Sequence, residues 1–265
     1  MRPVIDFFPA QNIALRIAGF PVYWYGILYL VAFVLAAFLL PRLQHLRKLC
    51  LSKGEWNDIL TWAVVGVLVG GRFGYVLFYR FADFLQNPVL LFDVRSGGMA
   101  SHGGMIGVAL AFAWVMRKRS WSEKLSIVDI AVVPVAIGLA CGRFGNFLNQ
   151  ELYGTVTTLP WGMQFDGVQG LRHPTQLYAI VKDLFIAAAC FAYLRSTRDA
   201  FIAGRTVALF LMLYGVLRFI VEIFRDQTII TMWGSLSEGQ VLTVPVFVAG
   251  MAMWFALSRG MAKKA

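Results

Sequence analysis

Charge is scarce in this chain. Asp, Glu, Lys and Arg make up only 14% of its 265 residues, against about 25% in ordinary soluble domains, and the mean hydropathy is +0.68. A water-soluble globular domain is excluded by that balance, and the bulk of the chain belongs in lipid. Cysteine is nearly absent. Cys50, Cys141 and Cys190 stand apart, with no metal-ligand or redox spacing, and read as small apolar helix residues; Cys141, although beside Gly142-Arg143, is not read as a nucleophile. Aspartates in the apolar stretches are scattered (Asp58, Asp129, Asp183), without the clustering that a metal-dependent phosphotransferase needs. Asp183 follows Lys182 directly and reads as a local helix feature, since adjacent helix residues do not share a face. No repeat of solenoid length is present. The first 19 residues are mixed in character, so no cleavable signal peptide is expected.

Apolar residues dominate instead, at 59%. A helix needs roughly 20 apolar residues to cross a bilayer, and seven runs approach that length, near 20–40, 58–79, 98–116, 125–147, 175–194, 206–224 and 239–257. Pro134 is placed to kink the fourth. The fold class expected is therefore all-α, a polytopic membrane helix bundle of about seven transmembrane helices. Lysine and arginine set its orientation: fourteen fall on one side of these segments, six on the other and four inside them. The basic side holds Arg42, Arg47, Lys48, Lys53, Arg117–Arg119, Lys124, Arg195, Arg198, Arg205, Arg259, Lys263 and Lys264. This places the N-terminus outside and the C-terminus in the cytoplasm. The net charge of +10 follows from this asymmetry and from anionic lipid headgroups; no nucleic-acid partner is required.

Against that background the run Gly142-Arg143-Phe144-Gly145-Asn146-Phe147-Leu148-Asn149-Gln150-Glu151-Leu152-Tyr153-Gly154 stands out. A charge at membrane depth costs at least a few kcal/mol, so it is rarely idle. Arg143 and Asn146 end an outward-running segment, and Arg218 and Glu222 lie in the outer half of another. His102 opens an inward-running segment, Tyr23 and Tyr25 begin the first, and Arg72 lies past the middle of the second. These groups share one level, the outer leaflet. Tyr214, Arg218, Glu222 and Arg225 form one helical stripe, and Arg143 and Asn146 share a face at i, i+3. One carboxylate cannot balance three arginines, and the excess positive charge suits a phospholipid phosphate, which arginine can grip with a bidentate fork.

Other features carry two readings. Gly66, Gly70 and Gly74 form a small-residue stripe for close helix packing, and Arg72 beside them is either structural or a support for the site. His102-Gly103-Gly104 offers a proton acceptor with backbone room around it, or a structural histidine. His45 lies in a basic loop, and His173, before Pro174, is placed to cap or hinge the next helix. Residues 81–95 mix aromatic and charged side chains as an interfacial element does. Residues 152–172, with Pro160-Trp161-Gly162, have the character of a folded outer loop.

Together these residues resemble the bacterial phosphatidylglycerol–prolipoprotein diacylglyceryl transferase family over nearly the whole chain. The resemblance rests on Tyr23-Trp24-Tyr25-Gly26, His102-Gly103-Gly104, the Gly142–Gly154 run as family signature, Arg172-His173-Pro174-Thr175-Gln176-Leu177-Tyr178, and Tyr214-Gly215 through Arg218-Phe219, Glu222 and Arg225. Ala179 departs from it, standing where the family commonly has glutamate. The resemblance implies one membrane transferase domain over residues 1–265, with outer-face elements near 81–97 and 148–174, in the bacterial inner membrane with its active site toward the periplasm. It implies transfer of diacylglycerol from phosphatidylglycerol to the lipobox cysteine of a prolipoprotein signal peptide, with no metal or nucleotide cofactor.

The reaction makes the residue types intelligible. A thiol with a pKa of about 8.5 must lose its proton to attack, and a phosphate monoester leaving group needs fixed cations. Arg143 and Arg218 are the candidates for that phosphate, and His102 is the candidate base or a wall of the pocket. Asn146 would orient the headgroup, and Tyr25 would contact substrate. Glu151 and Glu222 would hold the arginines, Tyr214 would line the site, and Gly154 would serve a tight turn. A lipid transporter or flippase is the alternative, although such proteins usually place charges near the midplane.

Overall fold

The computed structural model describes residues 12–93, 97–226, 232–233 and 236–262. Residues 1–11, Arg95, Lys263 and Lys264, which enter the charge count, lie outside the described residues. The chain is mostly helical. Its α-helices are α1 (Trp24–Leu43), α2 (Lys53–Tyr79), α3 (Phe81–Gln86), α4 (Ser101–Val115), α5 (Trp121–Leu148), α6 (Thr175–Ser196), α7 (Arg205–Ile223) and α8 (Glu238–Ala262). Short 3-10 turns follow α1 (Gln44–Arg47) and α3 (Pro88–Phe92). The all-α expectation is modified by two small antiparallel hairpins, β1 (Ile13–Ile17) with β2 (Phe20–Tyr23), and β3 (Met232–Trp233) with β4 (Leu236–Ser237). In the first, Ala18 and Gly19 both take positive φ, the backbone that a two-residue hairpin turn requires.

Six helices (α1, α2 and α5 to α8) are long and apolar enough to cross a membrane. The chain is a multi-pass membrane protein, with side chains such as Leu30, Leu68, Leu110 and Val181 more than half exposed, a surface suited to hydrocarbon rather than water. The segment expected near 98–116 is the exception. Gly97 and Gly98 adopt positive φ, so helix begins only at Ser101 and α4 has 15 residues, about 22 Å at 1.5 Å per residue and short of a roughly 30 Å hydrocarbon core. Helix starts are specified locally by one recurring device. Ser52 with Glu55, Ser120 with Glu123, and Ser237 with Gln240 each form a reciprocal side-chain-to-backbone cap, at the starts of α2, α5 and α8.

The chain forms two compact units, Cys50–Lys124 and the remainder. In the smaller one, α2 and α4 pack antiparallel with backbones touching. A Cβ added to Gly66 would lie 2.6 Å from the Gly107 carbonyl, and one on Gly70 would lie 2.4 Å from that of Gly103. The glycine stripe is thus a packing device. Arg72, 4% exposed, donates to the carbonyls of Leu90, Leu91, Gly97 and Gly98. Those bonds anchor the backbone at Leu90, Leu91, Gly97 and Gly98 to α2, as the structural one of its two readings expects.

In the larger unit, polar groups gather at two opposite sets of helix ends. One set joins the starts of α1 and α6 to the ends of α5 and α7, and carries the candidate site. The other joins the turn after α1, the early part of α5, the end of α6 and the start of α7. There Arg47, counted among loop charges by its position, is buried at 2% exposure. Its Nε meets Asp129 Oδ2 at 3.3 Å, and its other nitrogens donate to the carbonyls of Leu46 and Leu194 and the hydroxyls of Thr197 and Thr206. Asp129 in turn accepts from the backbone N–H groups of Gly204 and Val207 at 2.9 and 3.0 Å, the favourable place for an anion at a helix N-terminus.

Candidate active site

The signature run ends α5 and turns sharply. Gln150 and Leu152 hold φ of 53° and 59°, so the turn is carried by two non-glycine residues. Gly154, expected to serve that turn, has another reason to be glycine. It bridges to Arg225 and donates to the His173 carbonyl at 2.9 Å, and a Cβ on it would lie 2.3 Å from the Phe224 carbonyl oxygen. The loop after it is folded: Val156 and Met163 both bridge to Arg172, and Phe147, Met163 and Phe165 form a buried cluster under Tyr153, Val168 and Leu177. Arg172 is paired with Asp226 at 2.7 Å. His173 is buried, faces the Tyr178 hydroxyl at 3.0 Å and packs on Phe224; burial pushes its pKa below the usual imidazole value. Through Tyr178 it ties the loop to the first turn of α6, but it does not cap that helix, whose N-cap is Pro174 with no side-chain cap.

Two hydrogen-bonded groups make up the site. In the first, Arg143 Nη1 donates to Asn146 Oδ1 at 3.3 Å, and Asn146 Nδ2 donates to Glu151 Oε1 at 2.8 Å and to the Tyr25 hydroxyl, which itself donates to Glu151. One residue from the first turn of α1, two from the end of α5 and one from the turn beyond are thereby tied together. In the second, Glu222, 1% exposed, binds Arg218 at 2.6 Å and Arg225 at 3.2 Å. A single carboxylate thus holds two guanidinium groups, while Arg143 rests on a neutral amide.

The two groups meet at one small cavity of about 10 Å³, lined by Arg143, Arg218 and Arg225 together with Leu152, Thr175, Gln176, Ala179 and Val221. Arg143 and Arg218, proposed as partners from charge alone, are brought together with Arg225 as a third cation. Tyr214 is nearby in the chain but differently employed, with the Lys182 ammonium 4.4 Å from its ring centroid and Lys182 ion-paired to Asp183. Both members of that pair are buried. His102 is exposed on the first turn of α4 and belongs to the smaller unit, whereas the other eight candidates belong to the larger one. Thr175 and Gln176 escaped sequence reasoning. Their side chains donate to the carbonyls of Leu152 and Glu151 at 2.7 Å each, clamping the turn onto α6, and only their place in the Arg172–Tyr178 motif hinted at them. Among the described residues no group of three or more His, Cys, Asp or Glu could hold a metal ion.

The fold and the site define a class: a multi-pass helical membrane protein with a convergent arginine cluster backed by carboxylates and an amide. Residues 12–256 match the family model described as prolipoprotein diacylglyceryl transferase. The chain is similar to the phosphatidylglycerol–prolipoprotein diacylglyceryl transferases of Coxiella burnetii strain Dugway 5J108-111 (39% identity, covering 92% of this chain and 94% of the relative) and Legionella pneumophila strain Lens (40%, covering 92% and 96%). It is also similar to that of Pseudomonas fluorescens Pf-5 (41%, covering 96% of both). The chain belongs to the prolipoprotein diacylglyceryl transferase family.

Proposed function

We infer that this chain transfers the diacylglyceryl group of phosphatidylglycerol to the lipobox cysteine of prolipoproteins at the outer face of a bacterial inner membrane. The observation that carries the site assignment is the convergence of Arg143, Arg218 and Arg225 on one cavity, with the Asn146–Glu151–Tyr25 network beside it. The cysteine sulfur attacks the glyceryl carbon that bears the phosphate ester. A carbon–sulfur bond forms, the carbon–oxygen bond breaks, and the electron pair leaves with glycerol phosphate. The thiol proton passes to a general base.

The leaving group gains negative charge as the bond breaks. Arg143 and Arg218 are assigned to that charge, since preorganised cations in a dry site favour a transition state in which charge develops. Glu222 fixes Arg218 and Arg225 in place without neutralising both, and Glu151 fixes Asn146 and Tyr25, which would orient the headgroup. Purified protein given phosphatidylglycerol vesicles and a lipobox peptide is the test. Cysteine-dependent release of glycerol phosphate is expected, and none with a peptide carrying alanine in place of the cysteine. Lipid binding by folded protein without any release would contradict the assignment and favour a transport role.

A further inference from the structure

Gln176 stands in the first turn of α6 and is 2% exposed. Its Nε2 donates to the Glu151 carbonyl at 2.7 Å. A carbonyl can only accept, so this bond fixes which end of the amide carries the hydrogens. The other end, Oε1, is buried and accepts no hydrogen bond. An unpartnered buried acceptor is costly and uncommon, and Gln176 lines the same cavity as Arg143, Arg218 and Arg225. Three guanidinium groups border that space, yet none donates to it.

The missing partner can be specified by chemistry. It must be a hydrogen-bond donor, which excludes an ionised phosphate oxygen. It must not be cationic, since three guanidinium groups would repel an ammonium headgroup. A neutral hydroxyl meets both conditions. We propose that Gln176 is a substrate-binding residue whose Oε1 accepts a hydrogen bond from a hydroxyl of the lipid headgroup, so that the site selects a hydroxylated anionic phosphodiester. This rests on the transferase reading and adds the source of its headgroup selectivity: the arginines recognise the phosphate, and Gln176 recognises the glycerol.

Phosphatidylmethanol provides the comparison, since it keeps the diacylglycerol and the anionic phosphodiester but has no headgroup hydroxyl. Peptide lipidation would be measured by mass for the full-length wild type, Gln176→Leu and Gln176→Met in vesicles of either lipid. One hydrogen bond corresponds to a preference of up to about tenfold in kcat/KM for phosphatidylglycerol in the wild type. In folded variants that preference should collapse toward unity, with the loss falling far more on phosphatidylglycerol than on phosphatidylmethanol. Equal losses on the two lipids would assign Gln176 to holding the turn, or to the peptide thiol, and overturn the proposal. So would a wild type that uses both lipids equally, a result independent of whether either variant folds. A wild type that transfers from neither lipid would defeat the transferase reading itself.

Discussion

Replacing Asp129 with alanine would remove the anion at the centre of the cluster remote from the arginine site. Asp129 is fully buried and accepts from Arg47 at 3.3 Å and from the N–H groups of Gly204 and Val207 at 2.9 and 3.0 Å. Its removal leaves a guanidinium at 2% exposure without a counter-charge and two backbone donors at the start of α7 without an acceptor. Deleting one partner of a buried ion pair costs about 3–5 kcal/mol. At roughly 2–4 °C per kcal/mol for a chain of this size, Tm should fall by about 10 °C, read by thermal unfolding in detergent. The transfer rate per folded molecule, measured well below that Tm, should change little, because the cluster joins helix ends opposite to those bearing Arg143 and Arg218. Replacing both partners with apolar residues, Asp129→Leu with Arg47→Met, should recover the part of the loss due to the unpaired guanidinium, since buried pairs are often replaceable by packed apolar groups, but not the part due to the uncapped N–H groups of Gly204 and Val207. An Asp129→Ala protein with unchanged Tm and abolished transfer would refute the division between a structural end and a chemical end.

Arg143→Lys keeps the charge but loses the planar fork, and should lower kcat/KM by about 100-fold if the contact to the phosphate is bidentate; a fully active variant in the glycerol phosphate assay would contradict that role. Gly154→Ala forces a Cβ to 2.3 Å from the Phe224 carbonyl and 2.7 Å from the His173 side chain, a clash expected to cost about 1–3 kcal/mol and visible as a lowered Tm. His173 has a lowered pKa in the folded protein because of burial, so the unfolded chain binds more protons between that value and the ordinary pKa of about 6.5. Its contribution is therefore fully present above about pH 6.5 and is lost as pH falls through the folded pKa. A Tm profile from pH 8 to 5 should decline on the acid side more steeply for the wild type than for His173→Phe.

Much of the fold was legible because hydrocarbon is an unforgiving solvent. Runs such as 125–147 and 206–224 can only be spans, and α5 (Trp121–Leu148) and α7 (Arg205–Ile223) differ from them by a few residues at each end. Arg143, Arg218 and Glu222 were legible for the same reason, since a charge in lipid is an anomaly that calls for a partner. The hairpin at Ile13–Tyr23 was not, because a turn made by Ala18-Gly19 next to a transmembrane helix has no strong period of its own. Nor could sequence tell which arginines are fully employed. Arg72 and Arg143 each lie within an apolar segment, but Arg72 donates to four backbone carbonyls while Arg143 borders a cavity. Arg47 counts by position among the charges of the basic side, and only the fold sets Asp129, 82 positions away, against it. Gln176 is neutral, so nothing about it violates a rule of composition. Its interest lies in one unpartnered oxygen, which only the folded structure can reveal.

If one bond of phosphatidylglycerol breaks at this arginine cluster, its diacylglyceryl part should move to a cysteine. Doubly labelled lipid tests it most directly, with one label in the acyl chains and another in the headgroup glycerol, incubated with the purified chain and a lipobox peptide. Acyl label is expected on the peptide cysteine, with an equal amount of headgroup label released as water-soluble glycerol phosphate, both abolished in a folded protein carrying Arg143→Ala. Both labels on the peptide, or both remaining in intact lipid while the protein is folded and lipid-bound, would contradict it.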